Sequence, residues 1–221
     1  MNVGILGGTG PAGAALAARL SSLGIDVVIG SRSAERAQET ADKLKGKWGE
    51  RVDRLRGGGN EEAAKCELVV VSTPWDAAAA TAVSVSEHLN GKVVICIANA
   101  LARVNGEFQP FVPPRGSVAA HVQAMVPEAK VAAALHHIPA RELGDIDHPV
   151  ESDVLVCSDR PEATKIAADL VAMIPGLVPL DAGTLSNAAP IEAFTAVLLQ
   201  LNMRYKTHTA LRITGIPKDR L

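Results

Sequence analysis

A short apolar run, Val3 to Leu6, leads directly into Gly8-Thr9-Gly10-Pro11-Ala12-Gly13, and an Ala-rich stretch of helical character follows. G-x-G-x-x-G set between a strand and a helix commits the chain to a βαβ beginning. The first glycine permits the tight turn, the second lets a pyrophosphate approach the backbone, and the third packs helix against strand. The helix start then offers free N–H groups and a partial positive charge to a diphosphate. Gly8, Thr9, Gly10, Pro11, Ala12 and Gly13 are therefore expected to cradle a dinucleotide.

The remaining sequence repeats the same alternation. Strand candidates lie at residues 2–7, 26–30, 68–73, 92–98, 130–136 and 153–157, with a further short one at 177–180. Their apolar residues are near-continuous, as expected of strands covered on both faces of a parallel sheet. Helical stretches lie between them at 11–23, 33–48, 61–65, 77–89 and 161–174, with Ser33 and Asn60 as N-caps of the second and third. Gly57-Gly58-Gly59 reads as a turn. The fold class is α/β: a Rossmann-type, doubly wound, mostly parallel sheet with a small C-terminal helical extension. The expected division is 1–182 for the dinucleotide-binding Rossmann domain and 183–221 for the extension, joined in one compact unit.

Composition narrows the partners. The apolar share is 48% with only 3% aromatics, so the core is built from Ala, Val, Ile and Leu. A formal net charge of −2 supplies no electrostatic case for nucleic acid or an anionic membrane. The first 18 residues carry no charged side chain, but the glycine run and Pro11 interrupt them and no basic region precedes. Cys66, Cys96 and Cys157 are odd in number and lack C-x-x-C spacing, which argues against a disulfide framework or a zinc site. A cytoplasmic protein that holds no metal is expected.

The end of the second strand selects the dinucleotide. An NAD enzyme places Asp or Glu roughly 20 residues on, to hold the ribose hydroxyls. This chain has Gly30-Ser31-Arg32-Ser33 and then Arg36, a hydroxyl and two guanidinium groups suited to a 2′-phosphate. The expected cofactor is NADP(H). Farther on, Ser72-Thr73-Pro74-Trp75 closes a buried strand at the edge where such sheets bind ligands. Ser72 and Thr73 suit the cofactor's ribose or diphosphate, with Pro74 and Trp75 as a wall, a use compatible with Trp75 packed as a lid over the core.

What is missing narrows the chemistry. The sole tyrosine is Tyr205, with no Tyr-x-x-x-Lys pair, and the late helix at 187–203 contains no lysine. His136-His137 ends a strand candidate without further ligands at metal spacing, and a regular strand points only one of the two inward. No general acid or base is assigned. An acceptor that needs little acid catalysis, such as a second redox cofactor, fits that absence. The late helix carries Ile191, Phe194, Leu198 and Leu201 on one face, for core packing, a dimer contact or ring contact, and Asn187 suits its N-cap.

Gly-Gly-Thr-Gly at 7–10, Gly-Ser-Arg at 30–32, Pro74-Trp75, Leu135-His136 with Ile138-Pro139-Ala140, and Leu180-Asp181-Ala182-Gly183 with Leu185-Ser186-Asn187 follow in that order. Together they closely resemble the NADPH-dependent deazaflavin reductases, or coenzyme F-420:NADP oxidoreductases, along essentially the whole chain. The resemblance implies reversible hydride transfer between nicotinamide C4 and C5 of the 8-hydroxy-5-deazaflavin ring of coenzyme F-420, with both rings stacked in one cleft. By matching position it implies Thr9 to Ala12 on the diphosphate and Ser31, Arg32 and Arg36 on the 2′-phosphate. It places Trp75, Ala79 and Ala140 along the NADP path, and His136, Ser186, Asn187 and Thr195 where the rings meet, with His136 positioning a ring. Leu211 would touch the deazaflavin. The chain departs from the family pattern in having Arg36 where Lys is usual, in lacking proline along 96–101, and in a tail that runs on past Leu211.

The extension at 183–221 is expected to complete the deazaflavin cleft and to supply a homodimer contact. Two readings stand beside this one. The first is an NADPH-dependent reductase of an imine, a ketoacid, a flavin or ferric iron. The second is a non-enzymatic NADP(H) sensor whose apolar C-terminal helix docks a partner.

Overall fold

A computed structural model describes residues 1–216. Strands β1 (Asn2–Leu6), β2 (Asp26–Ser31) and β3 (Leu55–Gly59) alternate with helices α1 (Pro11–Ser22), α2 (Ala34–Trp48) and α3 (Asn60–Ala64). Next come β4 (Leu68–Val71), α4 (Trp75–Val83) and β5 (Val93–Cys96), then a hairpin of β6 (Leu101–Val104) and β7 (Glu107–Pro110). The chain continues through α5 (Val118–Met125), β8 (Lys130–Ala133), α6 (Ala140–Leu143), β9 (Ser152–Ser158), α7 (Pro161–Ala172), β10 (Leu177–Asp181) and α8 (Ala188–Tyr205).

Eight strands form one sheet in the order β10-β9-β8-β5-β4-β1-β2-β3. Every pairing is parallel except β8 with β9, so the expected mostly parallel, doubly wound sheet is present. One face is covered by α1, α2 and α7, the other by α3, α4, α5 and the start of α8. Alanine-rich helices approach this sheet closely: a Cβ on Gly4 of β1 would lie 1.8 Å from the Ala63 carbonyl oxygen of α3. No helix among the described residues is long and apolar enough to cross a membrane.

Several expectations change. Gly57–Gly59 is not a turn but the end of β3, paired in register with Ile29 to Ser31. Gly57 serves packing, since a Cβ there would meet the Gln38 amide nitrogen at 2.1 Å. Ser33 is the N-cap of α2, accepting from the Arg36 amide at 3.2 Å. Asn60 is not a cap; Gly59 occupies that position, and the Asn60 side chain is used elsewhere. The helix expected at 77–89 begins at Trp75 and stops at Val83, with only a tight turn at Ser86–His88. The strand expected at 130–136 ends at Ala133, because Leu135 adopts a left-handed backbone with φ 61°. The β6–β7 hairpin, α5 and α6 are additional to the expected elements.

Helix α6 is tied to the glycine-rich turn's helix by one side chain. Arg19 of α1 is only 2% exposed, and its guanidinium donates to the carbonyls of Glu142 (3.2 Å), Leu143 (3.0 Å), Asp145 and His148 (2.9 Å). Four carbonyls satisfy a buried cation that has left water. The segment after α6 is thereby locked onto α1.

Candidate active site

The glycine-rich turn forms the floor of a cleft of about 710 Å³ at the carboxyl ends of β1, β2 and β4. Gly7 turns through φ 65°, and its amide donates to Asn60 Oδ1 at 3.1 Å. The Gly8 amide donates to the Gly30 carbonyl at 2.9 Å. Both amides are thus committed to the fold, and Thr9 and Gly10 face the cleft. A Cβ on Gly10 would meet nothing within 4 Å, whereas on Gly13 it would lie 2.7 Å from the Gly8 Cα and 2.4 Å from Ser72 Oγ. The second glycine therefore leaves room for a ligand and the third serves helix-on-strand packing.

At the far end of the same cleft stand Ser31, Arg32, Ser33 and Arg36. Both arginines are exposed, and neither makes an ion pair among the described residues. Opposite them, Ser72 donates from Oγ to the Leu6 carbonyl at 3.2 Å, and Thr73 Oγ1 is buried without a hydrogen-bond partner. Helix α4 turns Ala77, Ala80, Thr81 and Ser84 toward the cleft. Helical phase places Ala79 on the other side, 8% exposed in the core. Trp75 is not among the residues lining this cleft; it packs on Phe111, ring centroids 5.8 Å apart, and on the apolar cluster beneath.

A second cleft of about 210 Å³ lies past the amino-terminal end of α1. Ala12, Asn99, His136, Ala140 and Thr195 line it, among apolar side chains including Ile97, Leu135, Ile138, Leu143 and Leu198. Gly10 lies in the first cleft and Ala12 in the second, so the glycine-rich turn borders both. Three sites expected at the rings stand outside it. Ser186 Oγ is engaged with Thr184 Oγ1 at 2.7 Å; Asn187 takes the expected N-cap position of α8, but its Nδ2 donates to the Ala182 carbonyl at 2.5 Å and its side chain makes no capping bond. Leu211 is drawn onto β9, its carbonyl accepting from the Asp153 amide at 2.8 Å. Of the expected α8 face, Ile191 and Leu198 are buried while Phe194 is 39% exposed.

Both histidines of the tandem are buried, since the left-handed Leu135 breaks strand alternation before them. His137 Nε2 lies 2.8 Å from the Asp153 carbonyl oxygen. Neither ring nitrogen of His136 has a hydrogen-bond partner, and burial pushes its pKa down to about 3, so the ring is neutral at physiological pH. Its Nε2 lies 3.7 Å from Glu192 Oε1. Glu192 escaped the sequence reading; its signal is an acid in the middle of an apolar helix face. Its carboxylate accepts from the amides of Val118 (2.9 Å) and Ala119 (3.2 Å), the start of α5. Burial outweighs those two hydrogen bonds and pushes its pKa up to about 7.

Comparison with known proteins agrees with this geometry. A family model described as NADP oxidoreductase coenzyme F420-dependent matches residues 2–100. An F420-dependent NADP reductase of Methanocaldococcus jannaschii is 39% identical, over 98% of this chain and 99% of the relative. One from Methanothermobacter marburgensis is 36% identical over 99% of this chain and 100% of its own length. A crystal structure from Arthrobacter sp., of a candidate F420-dependent NADP-reductase, matches with a TM-score of 0.81 and 26% identity, covering 97% of this chain and 100% of that one.

Proposed function

The chain belongs to the F420-dependent NADP reductases, and from that premise we propose that it passes a hydride reversibly between NADPH and the deazaflavin coenzyme F420. The observation that carries this reading is the pair of clefts bordered by one glycine-rich turn, cationic at one end and apolar at the other. When bound, the nicotinamide supplies or accepts hydride at C4 and the deazaflavin at C5. Everything else is positioning by the protein.

Ser31, Arg32 and Arg36 hold the 2′-phosphate, and Arg32 and Arg36 have no ion pair to give up in doing so. Thr9, Gly10 and Ala12 hold the diphosphate at the start of α1, where the helix offers its unpaired amides. Asn60 fixes the turn through the Gly7 amide. The ring cleft is walled by His136, Ala140 and Thr195 and by branched apolar side chains that keep water from the transferred hydride. Holding two reactants in a near-attack arrangement supplies about 7–11 kcal/mol of barrier lowering, so no acid or base at the reacting carbons is required.

Residues 183–221 are read as the extension that closes this cleft, of which 217–221 lie outside the described residues. Helix α8 lends Thr195, Leu198 and Asn202 to it. The exposed flank of α8, where Phe194 and Val197 are 39% and 49% exposed, is read as the contact with a second copy of the chain. Buried free cysteines at 66, 96 and 157 suit a reducing cytoplasm. The test is direct: the pure protein is mixed with NADPH and oxidised deazaflavin, and the loss of visible deazaflavin absorbance is followed. NADH and riboflavin phosphate serve as controls. NADPH-specific bleaching supports the reading; bound NADPH without bleaching overturns it.

A further inference from the structure

Glu192 is the one acidic side chain of α8, and only 4% of it is exposed. A lone buried carboxylate costs several kcal/mol unless it is held by donors. Its two oxygens are taken up by the first two amides of α5, so it cannot swing away. Ser117 Oγ accepts from the third, the Ala120 amide, at 3.0 Å, independently of Glu192.

One oxygen of this fixed carboxylate faces His136 Nε2 at 3.7 Å. The His136 backbone is clamped by other groups: its carbonyl accepts from Asn99 Nδ2 at 2.7 Å and from Thr195 Oγ1 at 3.3 Å. The imidazole itself has no such partner. Around the pair, His137 turns to the Asp153 carbonyl, and the thiols of Cys96 and Cys157 are pushed up to about 12 and stay protonated. Glu192 is therefore the charged group that faces the His136 imidazole within this packing.

We propose that Glu192 is a positioning residue for hydride transfer: its anchored carboxylate draws the proton of neutral His136 onto Nε2, fixes the plane of this buried ring just beneath the cleft lining and leaves Nδ1 unprotonated. A neutral imidazole exists in two tautomers, and the one present is set by the group that faces it. The proposal rests on the reading of the second cleft as the site where the rings meet.

The test uses the full chain with ¹⁵N-labelled histidine at pH 8, where Glu192 is ionised, and reads the imidazole nitrogen shifts of His136. The expected wild-type signal is the Nε2–H tautomer. In Glu192→Gln, whose single amide oxygen keeps only one of the two α5 bonds, the tautomer balance should move toward Nδ1–H. Its kcat for deazaflavin reduction should fall about ten- to hundred-fold, as for a misplaced reacting group, with KM for NADPH little changed. Ser117→Ala loosens the same end of α5 without touching His136, and should lower Tm while leaving tautomer and kcat intact. A wild-type Nδ1–H signal overturns the proposal. So does Glu192→Gln with unchanged tautomer and kcat, or an equal kcat loss in Ser117→Ala. The tautomer measurement needs no ligand, so absence of deazaflavin turnover in the wild type would overturn the functional reading and still leave Glu192 decided.

Discussion

The same substitution at two glycines of the turn should have opposite effects. Gly10 sits at φ −75° and ψ 166°, which any L-residue adopts, and a Cβ there meets nothing within 4 Å. Gly10→Ala should therefore leave the fold intact, and should stabilise it by about 0.4–1 kcal/mol because the unfolded chain has fewer states to lose. Its methyl group projects into the space assigned to the diphosphate. Losing even one charge-assisted hydrogen bond there costs about 1.5–3 kcal/mol, which raises the Kd for NADPH by about ten- to hundred-fold. Gly13→Ala is the converse, since its Cβ would be driven to 2.7 Å from backbone of Gly8 and 2.4 Å from Ser72 Oγ. Neither contact is tolerable, and the overpacking should destabilise by about 1–3 kcal/mol. Urea unfolding paired with NADPH fluorescence titration separates the two effects. A destabilised Gly10→Ala, or one that binds NADPH normally, would refute the division of labour between the glycines.

Arg32→Ala should weaken NADPH by about 1.5–3 kcal/mol while leaving NADH nearly untouched; equal losses with both would mean that Arg32 does not read the phosphate. Asn60→Ala removes the acceptor of the Gly7 amide and should cost about 1–3 kcal/mol of stability in urea unfolding, with weaker NADPH binding. Val197→Lys, on the outward side of α8, should convert a dimer to monomers in light scattering without lowering kcat, and an unchanged mass would remove this face as the contact. Glu192 has a folded-state pKa of about 7 against an ordinary 4.5, so its contribution to stability is full below 4.5 and is lost as pH rises through 7. His136, lowered from 6.5 to about 3, contributes above 6.5 and loses that contribution as pH falls toward 3. The two slopes oppose one another between pH 4.5 and 6.5. Urea unfolding of wild type and Glu192→Gln should then show a stability difference that moves against the wild type by about 3 kcal/mol from pH 4.5 to 7; a pH-independent difference would refute it.

The buried parallel strands were legible because a strand covered on both faces has to be apolar along its buried length, which β4 and β5 are throughout and β1 and β2 are between their polar end residues. Gly57–Gly59 was not, because glycine marks a turn and a close helix crossing with the same letter, and only the approach of α2 to β3 distinguishes them. The hairpin β6–β7 carries mixed, mostly exposed residues and so lacks both the continuous and the alternating signature. Ala79 was misplaced for a related reason. Ala77 to Ala80 present the same methyl group on every side, so no amphipathic contrast indicates which face of α4 meets the cofactor.

The first cleft was readable because its border is set by backbone conformation and local charge, both fixed within a few residues: Gly7 to Gly10, and Ser31 to Arg36. The ring end depends on contacts between residues far apart in sequence. Asn60 looks like a cap to its own helix, but its side chain completes a turn at Gly7. Glu192 looks like an interruption of an apolar face, yet its carboxylate joins α5 to His136 across the cleft wall. Ser186 and Asn187 sit where a helix starts beside a strand end, but nearer acceptors and hydroxyls at Ala182 and Thr184 claim their side chains first. A polar residue's type states what it can bond. Which partner it takes is settled by the nearest group in the folded chain, and at His136 that group comes from a helix 56 residues farther along.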